Sequence, residues 1–255
     1  MTQYGKSVHH HEYGYSSYTL DVPMSSRALF PIGSNTKLFA AVAIYQLQEA
    51  GTLNVSDPIA QYLNKSDFEA FGFSNMSSYC PVLYGDSTNA CQELTFVHLL
   101  SMGSGIIDEI DCDYSSDSPF VEYCWDVCQM WWDYEGSLAW YVGTFINDPL
   151  SFEPGSSYSY SNLNFIFAGY LIEKLSGMPF EEYLDKYIVS VLDLPDTYYD
   201  AYMGVFGAHK GRVDEYYLLR DADDTSKQLG TGWCRPTLHN GVASLVCIHI
   251  NIRIC

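Results

Sequence analysis

The sequence predicts an α/β fold, with an antiparallel sheet fed by the front of the chain and a large helical lobe through its middle. Three observations lead there. The opening residues alternate small, aromatic and apolar side chains, the pattern of half-buried strands. Between about residue 37 and residue 195, apolar residues recur at helical spacing in several segments closed by glycine or proline. From Thr197 onward, tyrosines and glycines suggest loops and short strands. A two-stranded ribbon is marginal alone, so the front strands need a partner from elsewhere.

Each element follows from local chemistry. "GKSVHHHEYGYSSYTLDVP" reads as one or two strands with a turn around Gly14 to Ser17. "RALFPIGSNTKLFAAVAIYQLQEAG", Arg27 to Gly51, begins as a strand end and turns at Pro31 and Gly33. It then becomes a helix on which Leu38, Ala41, Val42, Tyr45 and Leu47 recur, with Gly51 as its stop. That helix is apolar nearly all round, which predicts burial in the body of the domain. "VSDPIAQYLN" offers an Asp-Pro start and a short helix, and Leu94 to Met102 predicts another, ended by Gly103 and Gly105. Residues 108 to 148 are acidic and aromatic; their Trp and Tyr stripe reads as helix that packs the core or walls a cleft. "FEPGSSYSYSN" is a Pro-Gly turn leading into the helix "LNFIFAGYLIEKLSG", and "MPFEEYLDKYIVSVLDLPD" predicts one more.

Composition narrows the function. The 255 residues carry a formal net charge of −19, with 47% hydrophobic residues and 22 tyrosines. No basic stripe exists to neutralise phosphates, which argues against nucleic acid and against anionic membranes. No stretch is long and apolar enough to span a bilayer. Eight cysteines occur without a C-x-x-C pair, which disfavours a zinc ribbon. Cys80 and Cys91 bracket a turn-rich stretch that a disulfide could close; pairing among the others is not legible. Sequons at Asn54, Asn64 and Asn75 together with spaced cysteines suggest a secretory or extracellular location, although no signal peptide is visible. His9, His10 and His11 alternate on a strand and make a poor three-ligand metal site. No G-x-S-x-G elbow, P-loop or dinucleotide glycine pattern occurs. The abundant carboxylates read as solvated surface.

Two short constellations carry chemistry. Ser34 and Lys37 are three apart at the mouth of a helix, so the amine can reach the hydroxyl and take its proton. An alternative stands beside this: Ser34 as a plain helix cap and Lys37 as a solvated first-turn residue. "SYSN" adds Tyr160, a phenol that can shuttle protons, and Asn162, an amide that can orient an amine or a carbonyl. Tyr62 and Asn64 share the same Y-x-N spacing, but Asn64 lies in a sequon on a segment that reads as surface.

"LFPIGSNTKLFAAVAIYQLQEAGTLNVSDPIAQYLN" resembles the nucleophile helix of the serine β-lactamase and penicillin-binding-protein family, particularly its class C, β-lactamase-related branch. "LTFVHLLSMGSGI" resembles the family stretch usually written as a helix ending in His-Thr-Ser-Gly, and "FEPGSSYSYSNLNFIFAGYLIEKLSGMPFEEYL" its Tyr-x-Asn region. The resemblance covers roughly residues 5 to 200. It implies a β-lactamase/transpeptidase-like fold with the site between sheet and helical lobe. It implies Ser34 as acylated nucleophile, Lys37 as proton acceptor, Tyr160 as shared base and leaving-group acid, and Asn162 as an amide contact. The Ser34 N–H would supply half of an oxyanion hole. The reaction implied is acyl transfer or hydrolysis on an ester, amide or β-lactam, with a small-molecule or peptide-like acyl substrate and no cofactor or metal. A non-catalytic secreted binding or scaffold protein on the same fold is the alternative.

The departures from the family are informative too. "HNG" at His239 to Gly241 fits the family's third motif in letters, but "GVAS" at Gly241 to Ser244 looks like an earlier turn, and "LVCIHINIRIC" is not the amphipathic helix expected after it. The expectation is one partial domain over residues 1–255. Its parts are sheet strands in 1–33, nucleophile helix and helical lobe in 34–195, and loops and short strands in 196–255, with the C-terminal part lacking. Without the late strand such a chain is expected to turn over little substrate.

Overall fold

Two 14-residue helices organise the core, and the computed structural model gives each a different relation to water. It describes residues 2–3, 6–7, 11–17, 21–26, 28–76, 78–83, 85, 89–90, 93–108, 137–199, 217–220, 228–232 and 250–253. In chain order the described helices are α1 (Thr36–Glu49), α2 (Lys65–Ala70), α3 (Phe96–Leu100), α4 (Leu138–Phe145), α5 (Leu163–Ser176) and α6 (Phe180–Leu184). The first half of α5 is almost wholly apolar, and every residue from Leu163 to Gly169 is buried, as befits a central helix. It packs against α1, α3, α4 and α6, and Gly177 ends it in the left-handed conformation that a helix stop favours.

Helix α1 departs from its expected all-round burial. Ala40, Ala43, Ile44 and Leu47 face the core, while Leu38, Val42 and Tyr45 are exposed. The physical reason is geometric: α1 lies on one flank of α5, so a single face meets the core.

The front strands find their partner late in the chain. Strand Leu29–Pro31 pairs antiparallel with Ile250–Arg253, placing Phe30 opposite Ile252, and Tyr198–Tyr199 pairs on the other side of that late strand. Short antiparallel ribbons join Thr2–Gln3 to Lys6–Ser7, Tyr15–Ser17 to Val22–Pro23, and Tyr217–Arg220 to Gln228–Gly232. Tyr15–Ser17 is therefore strand where a turn was expected, and Asp21, just before the partner strand, has φ of 53°. Aspartate tolerates that conformation.

Helix α3 and the short 3₁₀ turn Ile59–Tyr62 fall within the predicted helical segments, and the segment after α6 widens into a π-type turn over Asp185–Val189. Of the acidic, aromatic stretch, residues 109–136 lie outside the described residues; its end forms α4, where Tyr141 is fully buried in the core. Helix α4 crosses the end of α2 so closely that a Cβ on Gly143 would stand 2.3 Å from the carbonyl oxygen of Phe71.

The carboxylates are not all solvated surface. Asp67 is buried: Lys174 of α5 bridges both its oxygens, Tyr170 donates to it at 2.6 Å, and the Asn64 N–H donates at 2.5 Å in a capping box. Burial pushes the carboxyl up, but those hydrogen bonds and the Lys174 charge outweigh it and hold Asp67 below the usual carboxylate range. This cluster fastens α2 to α5. Replacing Lys174 with Met strands a buried carboxylate and is expected to lower stability by about 3 kcal/mol in urea denaturation. Because the folded value lies below the unfolded one, the Asp67 contribution is complete above about pH 4 and is lost as pH falls through the lowered value. In the Asp67→Ala variant that part of the acid-side loss of stability should disappear.

Candidate active site

Strand Leu29–Pro31 runs into a 3₁₀ turn, Gly33–Asn35, before α1 begins at Thr36. Proline cannot donate to a ladder, so the strand ends there. The backbone N–H and side-chain amide of Asn35 both donate to the carbonyl of Ile32, at 3.1 and 2.8 Å, and close the turn. Ser34 sits exposed on this turn, and the residue at the helix cap is Asn35 rather than Ser34. One turn on, Lys37 points inward and is only 9% exposed.

The four sequence-predicted residues meet. Lys37 Nζ donates to Asn162 Oδ1 at 2.8 Å and to Ser34 Oγ at 3.2 Å. Ser34 Oγ and the Tyr160 hydroxyl share a hydrogen bond of 2.7 Å, and the Tyr160 hydroxyl also lies 3.2 Å from Asn162 Oδ1 as a donor. A phenol has one proton, so when Tyr160 donates to Asn162 the serine must donate to Tyr160, leaving the serine oxygen to accept from Lys37. The hydrogen bonds then run in one direction through Ser34. Lys37 also stands 5.1 Å from the ring centroid of Tyr160 and 5.7 Å from that of Phe165. No carboxylate among the described residues is within ion-pair distance of it, so the buried amine rests on neutral acceptors and aromatic faces.

The site has a wet side and a dry side. Ser34 and Tyr160 are exposed, Tyr160 by 40%, whereas Lys37 and Asn162 are buried. A substrate can reach the hydroxyls while water is kept from the amine.

What brings residue 160 to residue 34 is a strap. The N–H groups of Ser151, Gly155 and Ser159 donate to the carbonyls of Gly105, Gly103 and Met102, at 2.7, 2.8 and 3.1 Å. Ser104 Oγ donates to Asn164 Oδ1 at 2.5 Å and accepts from the Ile106 N–H at 3.0 Å, tying the same loop to α5. The strap delivers Tyr160 to the start of α5, where Asn162 occupies the cap position but turns its side chain to Lys37 instead of its own helix.

Asp108 was missed by the sequence reading. It is half-buried, and its Oδ2 accepts from Asn162 Nδ2 at 3.1 Å. Its only sequence signal is its place three residues after Gly105 on the strap, a weak one in so acidic a chain. His239 to Gly241, Gly241 to Ser244, His9, His10 and Cys91 lie outside the described residues; His11 is exposed and stacks edge-on against Tyr13. Among the described residues no cluster of His, Cys, Asp and Glu could hold a metal, and no helix is long and apolar enough to cross a membrane.

A family model described as Beta-lactamase matches residues 1–214. The chain belongs to the beta-lactamase family. A penicillin-binding protein of Bacillus subtilis (strain 168) is 27% identical over 196 residues, covering 76% of this chain and 35% of that protein. An N-acetylmuramyl-L-alanine amidase of the same organism is 26% identical over 204 residues, covering 77% of this chain and 40% of the other. The chain thus spans less than half the length of these curated relatives. The crystal structure of a penicillin-binding protein from Bacillus halodurans superposes with a TM-score of 0.63 at 23% identity, over 94% of this chain and 61% of that one. A D-stereospecific amidohydrolase from Streptomyces gives 0.61 at 22% identity, over 88% and 57%. These likenesses establish the β-lactamase/transpeptidase fold.

The strap depends on one glycine. At Gly105, φ is +82° and a Cβ would stand 2.4 Å from the carbonyl oxygen of Phe152. Gly105→Ala is expected to destabilise the protein by about 3 kcal/mol in chemical denaturation, through strain and displaced backbone together.

Proposed function

We propose that this chain carries the acylation centre of a serine hydrolase or acyltransferase that acts on an ester, amide or β-lactam. The observation that carries the reading is the continuous hydrogen-bond chain from Tyr160 through Ser34 and Lys37 to Asn162. Family membership supports the reaction class, and the relatives' names (penicillin-binding protein, amidase, amidohydrolase) all describe proteins that handle acyl groups or bind their analogues.

In this reading Ser34 Oγ attacks the substrate carbonyl carbon. Its proton passes to the Lys37 and Tyr160 pair as the new carbon–oxygen bond forms. The tetrahedral intermediate collapses, the carbon–nitrogen or carbon–oxygen bond of the leaving group breaks, and Tyr160 returns the proton to that leaving atom. Water or another acceptor then takes the acyl group from Ser34 by the reverse proton path. Asn162 keeps Lys37 aimed at the serine, and the Ser34 N–H donates to the developing oxyanion.

We also propose a secretory or extracellular location. Cys80 is disulfide-bonded, and the sequon asparagines Asn54, Asn64 and Asn75 are exposed.

The test of the acyl-enzyme is intact-mass and peptide mass spectrometry after exposure to a fluorophosphonate and to a penicillin. One adduct is expected, on Ser34, and none on the Ser34→Ala variant; an adduct elsewhere, or none on the folded protein, refutes the reading. Tyr160→Phe should slow adduct formation about 100-fold or more, since one proton-transfer group is lost. For the location, expression through a eukaryotic secretory route followed by glycosidase treatment should lower the mass, with the shift reduced in the Asn75→Gln variant.

A further inference from the structure

We infer that Asp108 is a positioning residue: its carboxylate fixes which end of the Asn162 amide faces Lys37. The inference deepens the acylation centre proposed above and rests on that reading for its catalytic consequence, though not for its geometry.

A primary amide is nearly symmetric in shape and opposite in chemistry at its two ends. One end accepts and the other donates, and a half-turn about its terminal bond exchanges them. At position 162 the choice matters. With Oδ1 toward Lys37, the amide accepts from Nζ at 2.8 Å and from the Tyr160 hydroxyl at 3.2 Å. With Nδ2 there instead, an N–H would oppose the N–H groups of the amine, and Lys37 would lose the acceptor that aims it at Ser34. Nothing on the Lys37 side alone excludes the second state at every step of a proton cycle, because a neutral amine can itself accept.

Asp108 removes the ambiguity from the other side. An ionised carboxylate can only accept, and it accepts from Asn162 Nδ2 at 3.1 Å. In the turned state two acceptors would face each other across a half-buried contact, which is unfavourable. The carboxylate is itself held in place: the Ser104–Asn164 bond and the Ser151-to-Gly105 backbone bond anchor the loop from which residues 106–108 extend. Asp108, Asn162 and Lys37 thus form a relay in which orientation, rather than a proton, is passed along.

The experiment compares wild type, Asp108→Asn, Asn162→Ala and the double variant. The Asp108→Asn change keeps the shape but supplies an amide that tolerates either end of Asn162. Its first readout is independent of turnover: hydrogen exchange of the Asn162 side-chain amide by NMR. That amide should exchange at least tenfold faster in Asp108→Asn than in wild type, and it should be unmoved by Ser34→Ala. Its second readout is acylation of Ser34 by a fluorophosphonate. The limiting acylation rate should fall about tenfold in Asp108→Asn with the half-saturating probe concentration unchanged, the scale of one lost hydrogen bond to a charged group. In the Asn162→Ala background the same change should have no further effect.

If wild type is not acylated while the exchange responds as stated, the acylation reading falls and the orientation of Asn162 by Asp108 stands. If wild type is acylated but exchange and rate are unmoved by Asp108→Asn, or the two changes are additive, the inference is overturned. Should Asp108→Asn fail to fold, Asp108→Ser removes the carboxylate with less bulk and is read in the same way.

Discussion

A buried amine with no carboxylate against it among the described residues is the constraint on which the site depends. Lys37 is 9% exposed, and taking an ammonium or amine out of water without hydrogen bonds costs several kcal/mol. Its acceptors come from two places far apart in sequence: Ser34 on the turn before α1, and Asn162 at the start of α5. The fold must therefore bring those helix starts together and hold them in register. Packing of α5 against α1 does the coarse part, through interfaces with Ala40, Ala43, Ile44 and Leu47 in the core. The strap from residues 102–106 to residues 151–159 does the fine part, because hydrogen bonds set position more tightly than apolar contact.

The same requirement explains an otherwise odd helix start. Asn162 stands where a capping side chain would satisfy the first N–H groups of α5, yet its amide turns away to Lys37. A free helix end is a small loss of stability, about 1 kcal/mol. Leaving Lys37 without its acceptor would be a larger one, and it would cost the alignment with Ser34 as well. Local stability yields to the site here, a trade often met at functional positions.

The sequence made the helical half of the fold and the four central side chains legible, for identifiable reasons. Helix α5 is long, with apolar residues at helical spacing and a glycine at its end, so its position follows from pattern. Ser34 with Lys37 and Tyr160 with Asn162 are spaced motifs within resembling stretches, so their meeting did not depend on knowing the path between them. Helix α1 shows where pattern stops. Its apolar residues run round the cylinder, and periodicity cannot say that Leu38, Val42 and Tyr45 face outward, since that depends on which neighbours the chain supplies. The pairing of Leu29–Pro31 with Ile250–Arg253 is illegible for a related reason: strands this short, separated by over two hundred residues, carry no signal of register. Asp67 and Asp108 were hidden by composition. In a chain of net charge −19, a carboxylate is by default a solvated one, and only coordinates distinguish the exceptions.

Those two carboxylates divide the work that an acid can do for a lysine. Asp67 touches Lys174 directly, and an ion pair that is also hydrogen-bonded on both oxygens fixes both side chains, which suits a joint between two helices. Asp108 reaches Lys37 through Asn162: the amide donates to the carboxylate from one end and accepts from the amine at the other. Direct contact would favour the ammonium, which has no lone pair to take a proton from a serine. An interposed amide transmits orientation while keeping the opposite charge a residue away. The two lysines thus differ by one spacer: Lys174 meets its acid directly, and Lys37 meets Asp108 through the amide of Asn162.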